Sequence, residues 1–259
     1  MAEVSRDYAG SMAAAAHPVC VCIFRADDGK SVRERLMAVA EYYRNRCGSS
    51  ETAEDLGVAQ ESNCADVNGT GANCAGVNYT GVNSGAAPVD IWQIDRTHRG
   101  KPYFPYQPKL HFSISHSGEY WACAMADQPI GLDLQEHVTR KDETPEIAAA
   151  RYGKMAQRFF HPKEAEYVKQ DSYRRFFEIW AARESYVKYT GQGIDDHFGE
   201  ICVLPEEGQK EYLSDGILRS WHASEAWFWE GEFPAGYTLC ICVKERGNDP
   251  VVGACGPIG

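Results

Sequence analysis

The sequence predicts an α+β fold on three observations. An alternating apolar run near the start leads straight into a helical pattern, three strand-like runs follow one another in mid-chain, and a long helical stretch fills the second half. His17 to Phe24 reads as the first strand, with Val19, Val21 and Ile23 alternating against Cys20, Cys22 and Phe24. Ser31 to Arg46 reads as a helix, because Leu36, Val39, Ala40 and Tyr43 recur at helical spacing and Gly48 stands where a helix would stop. From about Gly48 to Ala87 the composition turns to Gly, Asn, Ser, Thr and Ala, with a loose repeat at 63–68 and 73–78 and no continuous apolar face. It is expected to be a flexible insertion in the first half, since lengthening a loop adds little closure entropy. A small repeat-built cap over a site is the alternative.

Order resumes at Val89 to Ile94, and Gly100-Lys101-Pro102 makes a turn before a short extended segment. Leu110 to Ser115, Tyr120 to Ala126 and Ile130 to Gln135 are strand-like runs separated by Ser117-Gly118-Glu119 and Asp127-Gln128-Pro129, an arrangement expected to form an antiparallel meander. In the third run Ile130, Leu132 and Leu134 share one face, so Asp133 and Gln135 share the other. Helices are expected over Pro145 to Phe160, in a short segment starting His161-Pro162-Lys163-Glu164, and from Ser172 to Thr190 before Gly191. The first half is expected over 16–130, with the insertion at 48–87, and the second over 131–250.

Bulk properties narrow the function. A chain of 259 residues, 44% hydrophobic, can bury one large core or two modest ones. A net charge of -11 argues against general nucleic-acid binding, which needs a dominant basic surface. An acidic partner must therefore be met locally. Lys30, Arg33, Arg35, Arg44 and Arg46 form one basic cluster and Arg96, Arg99, Lys101 and Lys109 a second; each reads equally as a docking patch or a solvated face. None of the ten cysteines forms a Cys-x-x-Cys pair, and Cys20/Cys22 and Cys240/Cys242 alternate within apolar runs, so small buried thiols are expected rather than metal ligands. No basic leader and no apolar stretch of about 20 residues is present in this sequence, so neither a membrane span nor an oxidising compartment is expected. A reducing cytoplasm is the expected setting.

Three segments carry the chemistry: Ser113-Ile114-Ser115-His116-Ser117, then Gly131-Leu132-Asp133, then Trp180-Ala181-Ala182-Arg183-Glu184 with Lys188 one helical turn on. A histidine beside hydroxyls, two carboxylates from distant segments and a lysine suit a magnesium-held phosphate. Helical phase sharpens this. Tyr173, Phe176, Phe177, Trp180 and Val187 form one apolar stripe, Glu184 falls within it, and Lys188 lies at its margin. A carboxylate facing a core is costly unless a cation or hydrogen bonds compensate it, which argues against a surface ion pair and for a site.

At these residues the chain resembles the 4'-phosphopantetheinyl transferases of the type that activates surfactin and other peptide and polyketide synthetases. The pattern runs in order: Gly100-Lys101-Pro102, Phe112 to Ser117, Pro129 to Asp133, Phe159-Phe160 followed by Glu164, and Trp180 to Lys188 before Gly191-Gln192-Gly193. It covers roughly Asp90 to Ile194. The resemblance implies two similar α+β halves related by a pseudo-twofold, with coenzyme A between them. It implies transfer of the phosphopantetheine arm of coenzyme A to a serine of an apo acyl or peptidyl carrier protein, releasing adenosine 3',5'-bisphosphate, in a magnesium-dependent reaction by a monomer. It implies Asp133 and Glu184 as magnesium ligands, with Glu184 as proton acceptor and Lys188 on the phosphates. Ser115, His116, Lys101 and, more weakly aligned, Arg35 are the implied coenzyme A contacts. Arg174 and Arg175 are candidates for carrier docking, or are simply solvated. The chain departs from the family where a second acid often stands two residues after the aspartate: it has Gln135, which can offer a neutral oxygen to the metal or hold a water. The alternative is a coenzyme A or carrier-binding protein without turnover.

Overall fold

In the computed structural model the described residues are 17–47, 90–194, 196–205, 210–213 and 218–254. The expected insertion at 48–87 lies outside them. In chain order the elements are β1 (Val19–Arg25), α1 (Val32–Cys47), β2 (Asp95–Arg96), β3 (Pro102–Tyr103), β4 (His111–Ser117), β5 (Tyr120–Ala126), β6 (Ile130–Glu136), α2 (Pro145–Phe159), α3 (Pro162–Val168), α4 (Arg174–Thr190), β7 (Glu211–Tyr212), β8 (Arg219–Ala223), β9 (Ala226–Glu232), β10 (Tyr237–Val243) and β11 (Val251–Ala254). The α+β class is as the sequence predicts.

Two sheets lie face to face between helices. The first has the order β11-β1-β5-β4 and the second β6-β10-β9-β8-β7. Strand alternation assigns the layers: Val19, Val21 and Ile23 enter a core shared with Leu132, Leu239 and Ile241 of the second sheet, whereas Cys20, Cys22 and Phe24 pack with Leu36, Val39 and Ala40 of α1. Cys240 and Cys242 face α4 across a third core built on Phe176, Phe177 and Phe228. These four thiols are buried and none is in a disulfide, as expected of packing cysteines.

The two halves share a topology. In the first, the succession β1–α1–β4–β5 gives the strand order β1-β5-β4; in the second, β6–α4–β9–β10 gives β6-β10-β9, with the same antiparallel pairings. A repeated strand–helix–hairpin unit is what two similar halves require. The link between the sheets is Asp127 to Pro129, and β11 returns to pair in parallel with β1, so residues 251–254 join the first sheet.

The expected meander is corrected. β4 and β5 form the predicted hairpin, but β6 leaves for the second sheet and pairs with β10. Both edges of β5 are already taken, by β1 and β4. The connecting Gln128 steers the chain: its amide exchanges two hydrogen bonds, 2.9 and 3.0 Å, with the Glu245 backbone just past β10. Alternation specifies that a segment is a strand and which face is apolar, not which neighbour it pairs with.

Candidate active site

The site forms where β4, β6 and α4 meet. Two local features bring them together. Gly131 permits β6 and α4 to touch through their backbones, since a Cβ there would lie 1.8 Å from the Ser185 carbonyl oxygen. Three serines on β4 meet the free edge of β6 with side chains in place of a strand ladder. Ser113 Oγ accepts from Leu132 N at 2.9 Å, Ser117 Oγ accepts from Glu136 N at 2.9 Å, and Ser115 Oγ between them donates to Asp133 Oδ1 at 2.8 Å. Ser113 and Ser117 therefore satisfy edge donors of β6 that the strand ladder leaves unpaired, while Ser115 serves the Asp133 carboxylate.

Asp133 is buried at 5% exposure, and its Oδ1 also accepts from Lys188 Nζ at 2.7 Å. Lys188 Nζ reaches Ser115 Oγ at 3.2 Å as well, so Ser115, Asp133 and Lys188 form one hydrogen-bonded triangle. The other carboxylate oxygen, Asp133 Oδ2, is buried without a partner among the described residues. Burial pushes the Asp133 carboxyl above the usual range, against the pull of Lys188 and Ser115. Glu184 is half-buried one turn before Lys188, and its carboxyl is also raised, first by burial and then by the negative charge of Asp133, with Lys188 opposing. Two carboxylates thus face a common space with less positive charge than they need.

That donor set fits magnesium. An orphaned buried carboxylate oxygen beside a second carboxylate of raised pKa is what a small hard cation would relieve. Among the described residues no group of three or more His, Cys, Asp or Glu is arranged to hold a metal, so a magnesium ion here would have two carboxylates and would take its further ligands from water and phosphate oxygens, as magnesium ordinarily does. Gln135 is half-buried two residues along β6 from Asp133, and its amide nitrogen donates to Glu136 O at 3.4 Å.

The remaining residues singled out in the sequence are placed differently. His116 is exposed and, by alternation, points to the face of β4 opposite Ser115; its register partner is Trp121. Arg35 is buried in its own half, bonded to the Asp28 carboxylate and to the carbonyl of Ala26 at 2.9 Å, with its guanidinium 5.5 Å from the Trp121 ring centre. Lys101 Nζ donates to the carbonyls of Tyr189 at 2.9 Å and Ile130 at 3.3 Å, joining the end of α4 to the start of β6. Burial lowers its amine to about 8. Gly191, with φ of 70°, closes α4 just beyond, its N–H returning to Val187 O at 2.9 Å. Arg174 and Arg175, offered as docking residues, are engaged: Arg174 pairs with Glu232 at 3.2 Å, and Arg175 donates to Tyr167 O at 3.2 Å with its guanidinium 4.2 Å from the Tyr167 ring centre.

One structural pair escaped the sequence reading. Arg183, adjacent to Glu184 but rotated about 100° around the helix, is fully buried against fully buried Glu164. Glu164 closes a capping box on α3 by accepting from His161 N at 3.0 Å, and its other oxygen accepts from Val203 N at 2.7 Å. The spacing His161-Pro162-x-Glu164 was the available signal. The pair fixes α4 against α3 behind the site.

Residues 129–242 match the family model described as the 4'-phosphopantetheinyl transferase superfamily, so the resemblance drawn from the motifs holds. The chain is 32% identical over 154 residues to a 4'-phosphopantetheinyl transferase of Bacillus subtilis, over 55% of this chain and 59% of that protein. It is 31% identical over 145 residues to the 4'-phosphopantetheinyl transferase Sfp of Bacillus subtilis strain 168, with the same two coverages of 55% and 59%. A third relative, the 4'-phosphopantetheinyl transferase gsp of Aneurinibacillus migulanus, is 33% identical over 99 residues, 37% of this chain and 36% of that protein. The chain therefore spans less than two thirds of the length of these relatives.

Proposed function

We propose, from the premise that residues 129–242 match the 4'-phosphopantetheinyl transferase superfamily, that this protein transfers the phosphopantetheine arm of coenzyme A to a serine hydroxyl of an apo carrier protein. The observation that carries the reading is the buried Ser115–Asp133–Lys188 triangle with Glu184 beside it and Asp133 Oδ2 unpartnered.

In this reading the carrier's seryl oxygen forms a bond to the pyrophosphate phosphorus next to pantetheine. The bond from that phosphorus to the bridging oxygen breaks, and adenosine 3',5'-bisphosphate leaves. Glu184, half-buried beside Asp133 and one turn from Lys188, takes the hydroxyl proton. Lys188 meets the negative charge developing on the phosphate oxygens. Ser115 and Lys188 hold Oδ1 of Asp133, which leaves Oδ2 without a partner among the described residues and so available to a metal. Asp133 and Glu184 would hold magnesium, which when bound supplies positive charge against the phosphates. His116 is retained as a coenzyme A contact because its imidazole is exposed. Arg35 is left out, since its guanidinium already serves Asp28 and two carbonyls. Lys101 is assigned to seating α4.

With two carboxylates and Gln135 as protein donors, magnesium affinity without coenzyme A is expected to be weak; tight binding to the free protein by calorimetry would overturn that detail. Residues from both sheets of one chain build the site, which supports a monomer. Among the described residues no helix is long and apolar enough to cross a membrane, and cysteines that stand buried outside any disulfide support a reducing cytoplasm as the setting. The decisive assay is mass spectrometry of an apo carrier incubated with the protein, coenzyme A and magnesium. Addition of one phosphopantetheine supports the reading; hydrolysed coenzyme A with an unmodified carrier, or no change across a panel of carriers, overturns it.

A further inference from the structure

On a chain of net charge -11, no aspartate or glutamate occurs between Asp95 and Glu119, while Arg96, Arg99, Lys101 and Lys109 all fall in that interval. The structure turns this composition into a surface. Phe104 is buried against Trp92 and Phe112, with ring centres 5.5 and 4.5 Å away, and Gln107 is buried with its amide donating to Ile91 O at 3.1 Å. With 104 and 107 rooted inward, Tyr103 and Tyr106 stand 42% and 48% exposed, and Arg96, His98, Arg99 and Lys109 are exposed around them. The result is a fixed loop presenting two tyrosines within a basic rim.

This surface abuts the candidate active site. Lys101, inside the segment, bonds the end of the helix that carries Glu184 and Lys188 and the start of the strand that carries Asp133. Arg99 donates to Gln192 O just past that helix, next to Ile194, which is 63% exposed. The chain then runs from Lys109 into the strand that supplies Ser115. Tyrosine and arginine are favoured at the centres of protein interfaces, and a basic rim attracts an acidic partner that the rest of a net negative surface would repel.

We propose that the 96–109 segment is the docking surface for an acidic protein domain, which it holds so that the domain's serine hydroxyl enters the Asp133–Glu184–Lys188 site. The proposal rests on the transfer reading above and specifies where that substrate is met. It is offered in place of Arg174, exposed and paired with Glu232, and Arg175, bonded to the Tyr167 carbonyl.

The test compares wild type with Tyr106→Ala, Lys109→Glu and their combination, using a net negative apo acyl carrier protein as probe. Kinetics are measured with carrier and coenzyme A varied separately, and carrier binding is measured by calorimetry without coenzyme A. The double variant is expected to raise KM for the carrier at least tenfold and to flatten the salt dependence of kcat/KM, with KM for coenzyme A, kcat at saturation and Tm unchanged. Arg174→Ala is expected to leave the carrier KM at the wild-type value. Wild-type loading of the carrier with unchanged kinetics in the double variant overturns the docking surface and leaves the transfer reading standing. Wild-type binding that the double variant loses, without loading, overturns the transfer reading and leaves the surface standing. Neither binding nor loading by wild type across a panel of net negative apo carrier proteins overturns both.

Discussion

Two of the charge clusters on helix α4, one around Glu178 and one around Glu184, differ in one respect, compensation. At Glu178 every charge is answered. Its carboxylate takes the Tyr167 hydroxyl at 2.9 Å and lies 3.1 Å from Arg219, while Glu230 binds Arg219 at 2.8 Å and Lys210 at 2.7 Å. Burial acts to raise the Glu178 carboxyl, but Lys210 and Arg219 outweigh it and the net direction is down. Around Glu184 the balance is reversed: burial and Asp133 raise the carboxyl, and one lysine is shared between two acids. The first cluster is a closed ion network that fixes β8 and β9 to the helix. The second is short of positive charge, which is the mark of a site that takes up a cation or works with protons.

The sharpest way to break this comparison is to neutralise one acid in each cluster. Glu184→Gln is expected to lower transfer by about 10²–10⁴-fold, the usual range for a lost general base, while leaving Tm no lower than wild type, because a strained charge is removed. Near-normal transfer in the mass assay removes Glu184 from the mechanism. Lys210→Met is expected to do the opposite. Leaving Glu178 and Glu230 short of a partner costs about 3–5 kcal/mol, read by urea denaturation, with kcat unchanged; an unchanged midpoint would show that the network is not structural.

Smaller effects test how the second cluster is assembled. Gly131→Ala places a methyl against the Ser185 carbonyl and must separate β6 from α4, a strain of about 1–3 kcal/mol, with transfer falling as Asp133 moves from Lys188. Equal transfer and stability in that variant would show that the close approach is dispensable. Lys101 offers a third kind of compensation, a buried amine on carbonyl dipoles alone. Its pKa is near 8 when folded against an ordinary 10.5. Between those values the unfolded chain holds a proton that the folded protein has released, so unfolding free energy is expected to rise with pH across that window, by on the order of 1–3 kcal/mol. Lys101→Met should abolish that rise; a pH profile identical to wild type would show that the amine is not the source.

Much of this site was legible in the sequence. The order of the motifs fixed the candidates Asp133, Glu184 and Lys188, and helical phase alone placed Glu184 among aromatic residues. The alternation of β1 and the helical spacing in α1 named the faces that the structure buries, because those faces are uniformly apolar. The partner of β6 was not legible, since a strand pattern names faces and not neighbours. Nor were the engagements of Arg35, Lys101 and Arg174, each of which bonds groups close in space but set by packing. Arg183 shows the limit most plainly: it stands beside Glu184 in the chain, yet one helical step turns it toward Glu164 and away from the site.

The sequence by itself determined the kinds of element and the apolar faces and named the candidate site side chains, because these depend on local periodicity and on residue chemistry. Only the tertiary structure decided which carboxylate is left unpaired. Compensation depends on distances between residues far apart in the chain, here Ser115 and Lys188 converging on one oxygen of Asp133 and leaving the other free.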